Sequence, residues 1–187
     1  MATPFIGHVS TATATSPASK YTPKYAPTPC TDDRLPIDRT HIDCGTLTVP
    51  ENRRKPNGRQ VHLPVAILRS TAANKQPDPI VYLVGGPGVG GLTPATVFYD
   101  SGIVTDRDLI LIDPRGTGRA TPSLACTETQ HVAEQSAAAS ESPSAAAARY
   151  ERAFAQCVGR VRRSADLAQY NTPTNALDAD DLRTALG

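Results

Sequence analysis

Val61, Leu63, Val65 and Ile67 occupy alternate positions of Arg59–Ser70, so an extended chain there carries one apolar face, the pattern of a half-buried strand. A shorter strand-like run, Cys44–Pro50, precedes it. The intervening "ENRRKPNG" holds Pro56 and an Asn57-Gly58 pair, which favour a hairpin turn. Pro64 has no amide hydrogen to give to a ladder, which argues for an edge position or a bulge. Two further runs, Pro79–Val84 and Asp108–Asp113, are continuously apolar, as expected of parallel strands covered on both faces. The segment between them has room for a loop and a crossover helix. The last third reads as helical. Ser142–Val161 is rich in alanine with Pro143 placed for a first turn, and in Thr174–Gly187 Thr174 or Asn175 opens a helix that Gly187 stops.

Composition changes the picture mainly at the amino end. Residues 1–29 are rich in Thr, Ala, Pro and Ser and carry too little apolar surface to offset the entropy of ordering, so they read as a flexible arm before a domain over residues 30–187. Nineteen basic and 18 acidic residues leave a net charge of +1, which gives no electrostatic case for nucleic acid or an anionic membrane. Arg53, Arg54 and Lys55 read as a solvated hairpin tip, and Arg160–Asp166 as an exposed helix end. No run approaches the roughly 18 apolar residues that span a bilayer.

Cys30, Cys44, Cys126 and Cys157 form no C-x-x-C pair, and no histidine lies at ligand spacing from them, so no metal site is expected. They suit either two disulfides, with three possible connectivities, or buried free thiols. Pairing by sequence proximity would join Cys30 to Cys44 and Cys126 to Cys157. Disulfides imply export to the cell surface or beyond. Residues 1–29 nevertheless lack the basic and apolar regions of a leader, so that the expected start lies upstream of Met1.

Candidate chemistry concentrates in Ile80–Thr93, "IVYLVGGPGVGGLT", where a strand breaks into five glycines and a proline. Gly86 to Gly91 match the spacing of a dinucleotide-binding loop, and Asp113 ends the next apolar run, where a ribose-binding acid could sit. That loop requires a helix starting within its glycines. Pro87 removes one N–H, and "LTPATVFYDSG" is a poor helix former. A nucleoside-triphosphate loop requires a lysine where Leu92 stands. The third chemistry uses both residue types. Glycine lets a carbonyl approach the backbone, and proline stiffens the turn so that an N–H is held ready for an oxyanion.

"VGGPGVGG" resembles the H-G-G-P-G loop of proline iminopeptidases and secreted tripeptidyl aminopeptidases, which are α/β-hydrolases. "LIDPRGTGRATPSLAC" resembles their D-Q-R-G-x-G-x-S-x-P stretch, "CGTLTVPENRR" their opening strand, and "YNTPTNALDADDLRTALG" the segment leading to the nucleophile strand. The likeness covers roughly residues 30–187. It implies the N-terminal part of an α/β-hydrolase fold: an antiparallel hairpin, a β-α-β parallel unit, then helices, with the sheet incomplete. Gly85 and Gly86 become the candidate oxyanion donors. Pro87, Gly88, Asp113, Arg115 and Gly116 would shape the loops, Asp113 and Arg115 as a buried ion pair. The chain departs from the family at Val84, Pro114 and Ala120, where many members have His, Gln and Ser. It contains no G-x-S-x-G, the turn that carries the family's nucleophile, and no serine, acid or histidine of the triad. The implied activity is cleavage of a peptide or amide near a free N-terminus without a cofactor, absent from this chain alone. Two other readings are a non-catalytic module that binds a peptide or partner chain and, less favoured, a dinucleotide-binding protein.

Overall fold

The computed structural model describes residues 21–30, 38, 40–86, 88–138 and 141–187. Its elements, in chain order, are strands β1 (Lys24–Thr28), β2 (Ile42–Pro50), β3 (Gln60–Leu68) and β4 (Ile80–Tyr82), helix α1 (Ala95–Asp100), and strand β5 (Leu109–Ile112). Helices α2 (Thr127–Ala138), α3 (Pro143–Ser164) and α4 (Thr172–Leu186) follow, with a 3-10 turn at Leu167–Gln169 before α4.

The strands form one sheet in the order β1-β2-β3-β5-β4. The hairpin runs from Ile42 opposite Leu68 to Pro50 opposite Gln60, and β4 pairs β5 in parallel. This is the mixed, open sheet of a partial α/β fold. Alternation along β3 and β5 divides the core in two. Val61, Leu63, Val65, Ile67, Ile110 and Ile112 face Leu182, Ala185 and Leu186 of α4. Ala66, Leu68, Leu109 and Leu111 face Leu92 and Ala95, with Phe98 and Tyr99 of α1 beside them. Each fully buried leucine contributes about 1.5–3 kcal/mol.

Pro64 stands in the middle of the sheet, not at an edge. Its carbonyl accepts from Asp113 N (3.0 Å), so its nitrogen also faces the β5 side, and the ladder with β5 begins only at Val65. On the same side His62 exchanges both backbone bonds with Thr121. The missing N–H therefore falls in the gap between two bonded stretches and removes nothing from the pairing with β2.

The two apolar runs have different surroundings. All four residues of β5 are buried, whereas Ile80, Val81 and Leu83 are 39%, 48% and 70% exposed because β4 is the outer strand. Lys24–Thr28, which composition assigns to the arm, instead form a strand paired with Cys44–Thr48. A disulfide from Cys30 to Cys44 anchors its end. The rest of the arm, residues 1–20, lies outside the described residues. A second disulfide joins Cys126 to Cys157. The pairing is thus the one by sequence proximity.

Helix α3 is capped by Ser142, which accepts from Ala145 N, with Pro143 at its first turn. Helix α4 opens three residues earlier than Thr174: Asn171 accepts from Thr174 N, and Pro173 occupies the first turn. Gly187 follows with φ +87°, the left-handed end that glycine supplies. Helix α2 lies in the third of the chain that reads as helical, outside the two helices delimited there. It packs on α3, and the disulfide ties its start to that helix.

Candidate active site

The chain leaves the carboxyl end of β4 as the glycine loop and the end of β5 as a tight turn. Both are organised by Asp113. Its side chain is buried, accepting from Leu92 N through Oδ1 (3.0 Å) and from Arg119 N through Oδ2 (2.8 Å). One carboxylate thus ties the two loops together. The approach leaves no space for side chains. A Cβ on Gly91 would overlap the Ile112 carbonyl, and one on Gly118, whose φ is +53°, would overlap the Asp113 carboxylate. Sequence reading assigns loop roles to Gly85, Gly86, Gly88 and Gly116, meets Gly91 only as part of a nucleotide-loop spacing, and gives Gly90 and Gly118 none. In these two loops an added Cβ would crowd a neighbour at Gly90, Gly91, Gly116 and Gly118, whereas Gly85 and Gly88 have open space around them.

Asp113 and Arg115 do not pair with each other. The Arg115 side chain is fully buried and forms a fork with Asp178 of α4, Nε to Oδ2 and Nη2 to Oδ1, both 2.6 Å. Its Nη1 donates to the carbonyls of Glu51 (3.0 Å) and Gln169 (3.1 Å), and its guanidinium lies over the Tyr170 ring. Asp178 also accepts from Arg53 Nη2 (2.6 Å), which reaches Asp181 as well (2.5 Å). Tyr21 donates to Asp181 and accepts from Arg53 Nε. Arg53 is therefore a partly buried link in a network and not a solvated hairpin tip, while Arg54 and Lys55 stay at the surface. Burial, followed by the bond to Asp181, raises the Tyr21 hydroxyl to about 12.

A second cluster adjoins the first. Buried Glu51 accepts from Arg59 Nη1 (3.0 Å), the Tyr170 hydroxyl (2.9 Å) and Asp166 N (3.0 Å). Burial and the Glu51 carboxylate push the Tyr170 hydroxyl upward. The sequence signal for this machinery is Asp178. It stands four residues before Leu182 on the buried side of α4, where a carboxylate requires a cation.

Above these clusters lies a cleft of about 660 Å³. Gly85, Gly86 and Gly88 line one side, Pro114, Gly116 and Thr117 another, and Leu124, Tyr170, Asn175 and Ala176 the rest. Gly85, Gly86 and Gly88 are exposed, and no acceptor among the described residues takes the Gly85 or Gly86 N–H. Gly85 and Gly86 thus stand exposed at the lip of the cleft, just past the end of a parallel strand. Pro87 lies outside the described residues. His62 is exposed and bonded to Thr48, His41 contacts Tyr99 and Asp38, and His131 is on α2. None of these three lines the cleft. Arg160 is bonded to Glu128 and to the Ala125 carbonyl, so this end of α3 is tied to the cleft wall. Among the described residues no group of His, Cys, Asp and Glu could hold a metal ion, and no helix is long and apolar enough to cross a membrane.

An open α/β sheet with a glycine loop at the end of one parallel strand and a tight turn at the end of the next is the framework of an α/β-hydrolase. No family model matches the sequence. Curated relatives do. The chain is 32% identical over 157 residues to a protein named tripeptidyl aminopeptidase from Streptomyces lividans, covering 78% of this chain and 29% of that protein. The likeness to the protein of the same name from Streptomyces coelicolor is 32% over 157 residues, 78% of this chain and 28% of the relative. A protein named carboxylesterase B from Mycobacterium tuberculosis is 32% identical over 153 residues, 76% of this chain and 28% of that protein. At 32% identity over about three quarters of this chain, these likenesses agree with an α/β-hydrolase-type family. The chain spans less than a third of the relatives' length.

Proposed function

We propose that the chain is the N-terminal part of an exported serine hydrolase of the tripeptidyl aminopeptidase type. It contributes the backbone donors of the oxyanion hole, Gly85 first and Gly86 second, and one wall of the substrate cleft. Nucleophile, acid and histidine come from outside these 187 residues. The reaction would be acyl transfer from a peptide or amide near its free N-terminus, with no cofactor. The observation that carries this reading is the convergence of Gly85, Gly86 and Gly116 on one cleft at the carboxyl ends of the parallel strands. The two disulfides and the tripeptidyl aminopeptidase relatives support an extracellular location.

The test has two arms. The purified chain alone releases no arylamide from prolyl or tripeptidyl substrates and takes no label from a fluorophosphonate. Joined to the remaining portion of a related aminopeptidase, it gives an active chimera. Replacing Gly85 or Gly86 by proline in that chimera removes one amide donor and lowers kcat about 10²–10³-fold. Turnover by the isolated chain, or a chimera indifferent to both replacements, sinks the proposal.

A further inference from the structure

The cleft has one carboxylate in its lining, Asp178, and among the described residues no Lys, Arg or His lines it. A carboxylate at the wall of a peptide-binding cleft would ordinarily draw in an ammonium or guanidinium group. Here it is already occupied. Arg115 takes both of its oxygens from beneath and Arg53 takes Oδ1 from the side, while Asp181 shares Arg53. The cluster therefore holds two arginines against two aspartates. The neighbouring Glu51 is matched by Arg59. What remains toward the cleft is apolar or uncharged: Leu83, Val84, Val89, Ile112, Leu124 and Ala176.

We propose that Arg53, which does not itself line the cleft, is a specificity-determining residue: by completing the charge balance around Asp178 it makes the cleft select uncharged ligand groups over cationic ones. This deepens the proposed function and rests on the cleft being a ligand site. A charged side chain entering it loses its hydration and gains no counter-ion, because the one available carboxylate is saturated. Removing Arg53 leaves two aspartates against Arg115, and the wall turns negative. Removing the charge of Asp181 leaves two arginines against Asp178, and the wall turns positive. The two changes act in opposite directions, which separates a charge effect from loosening of the fold.

The experiment titrates the chain with two near-isosteric probes, N-acetyl-norleucinamide and N-acetyl-lysinamide. Binding is followed by amide chemical shifts of Gly85, Gly86, Gly116 and Thr117. The wild-type chain favours the neutral probe. R53Q moves the ratio of the two Kd values toward the lysine probe roughly tenfold, the scale of one unit charge acting over about 10 Å in a partly wet interior. D181N moves it the other way, and R53K leaves it unchanged. Loosening alone would weaken both probes together and leave the ratio where it was. If R53Q does not fold, D181N carries the test with its own sign. Shifts that appear at these amides with the same ratio in every variant overturn the role of Arg53 and leave the cleft standing. Absence of shifts with either probe overturns the cleft as a site, and this inference with it.

Discussion

Arg115 and Asp178, 63 residues apart in sequence, meet in a two-bond fork of 2.6 Å arms with neither side chain open to solvent. The fork joins the turn after β5 to α4 and so fixes one wall of the cleft to the helix that covers the sheet. Asp178→Ala strips buried Arg115 of its carboxylate, leaves Arg53 with Asp181, and is expected to cost about 3–5 kcal/mol. The double variant Arg115→Met with Asp178→Leu recovers a large part of that loss, because neither charge is then stranded. Urea denaturation of the two variants and the parent measures the difference. Equal losses in the single and double variants would mean that the fork is not the source of the stability.

Glycine packing around Asp113 gives a second expectation. Gly91→Ala sets a methyl against the Ile112 carbonyl, backbone that cannot turn aside, whereas Gly118→Ala meets a side-chain carboxylate and a φ of +53°. We expect Gly91→Ala to be the more damaging, by more than the 1–2 kcal/mol that a left-handed non-glycine residue costs by itself. Comparing the urea midpoints decides the order.

Ionisation of Tyr21 opens the network from the alkaline side. An unperturbed phenol titrates near 10, and in the fold this one is raised to about 12, chiefly by burial and then by Asp181. A group whose folded pKa is raised contributes its full stability below the unfolded value and loses it as pH rises through the folded one. The attachment of Tyr21 to Arg53 and Asp181 should therefore weaken between pH 10 and about 12. Ultraviolet titration should show more than one phenol ionising late, Tyr170 among them, and Tyr21→Phe should remove one of those steps. A Tyr21→Phe titration that superimposes on the parent's would refute this.

The outer strand bears on handling of the protein. Ile80 and Val81 present apolar side chains beside an unpaired backbone row, the arrangement that invites strand addition. Val81→Lys places a charge on that edge and should lower concentration-dependent association, read by sedimentation or light scattering. A parent chain that is already monomeric at high concentration would remove the basis for this expectation.

Cys126→Ser with Cys157→Ser releases a loop of 31 residues and should cost about 3–4 kcal/mol by the chain-entropy estimate. Most of the visible change should fall on α2, measured as lost helicity and faster hydrogen exchange at Thr127–Ala138. Uniform loosening of the sheet would contradict the idea that the disulfide acts locally.

Legibility in the sequence followed the strength of local pattern. Alternation in β3, the unbroken run of β5 and the Ser142-Pro143 start of α3 are signals carried by neighbouring residues, and each matches the structure closely. Helix α2 has no such signal. "TETQHVAEQSAA" lacks an apolar stripe, so its helix depends on a covalent tie to a partner distant in sequence. Pro64 misled because the reading assumed a continuous ladder, whereas the gap in that ladder comes from where β5 ends. At the cleft, the exposed glycines of a familiar motif were legible. The charges beneath were not, because Arg53 looks like any basic residue at a turn until Asp178 and Asp181 are brought against it from the far end of the chain.

The bond between Tyr21 and Asp181 closes a loop of 160 residues. Its partners are therefore made at opposite ends of the synthesis of this segment. At about 5–20 residues per second, the interval between them is on the order of ten seconds or more. Throughout that time the sheet face that α4 covers stays bare, and Tyr21 lacks its Asp181 contact. The hairpin can form as soon as it leaves the ribosome, but the charge cluster under the cleft closes only after α4 emerges. The cleft acquires its electrostatic character only once α4 has docked on the sheet.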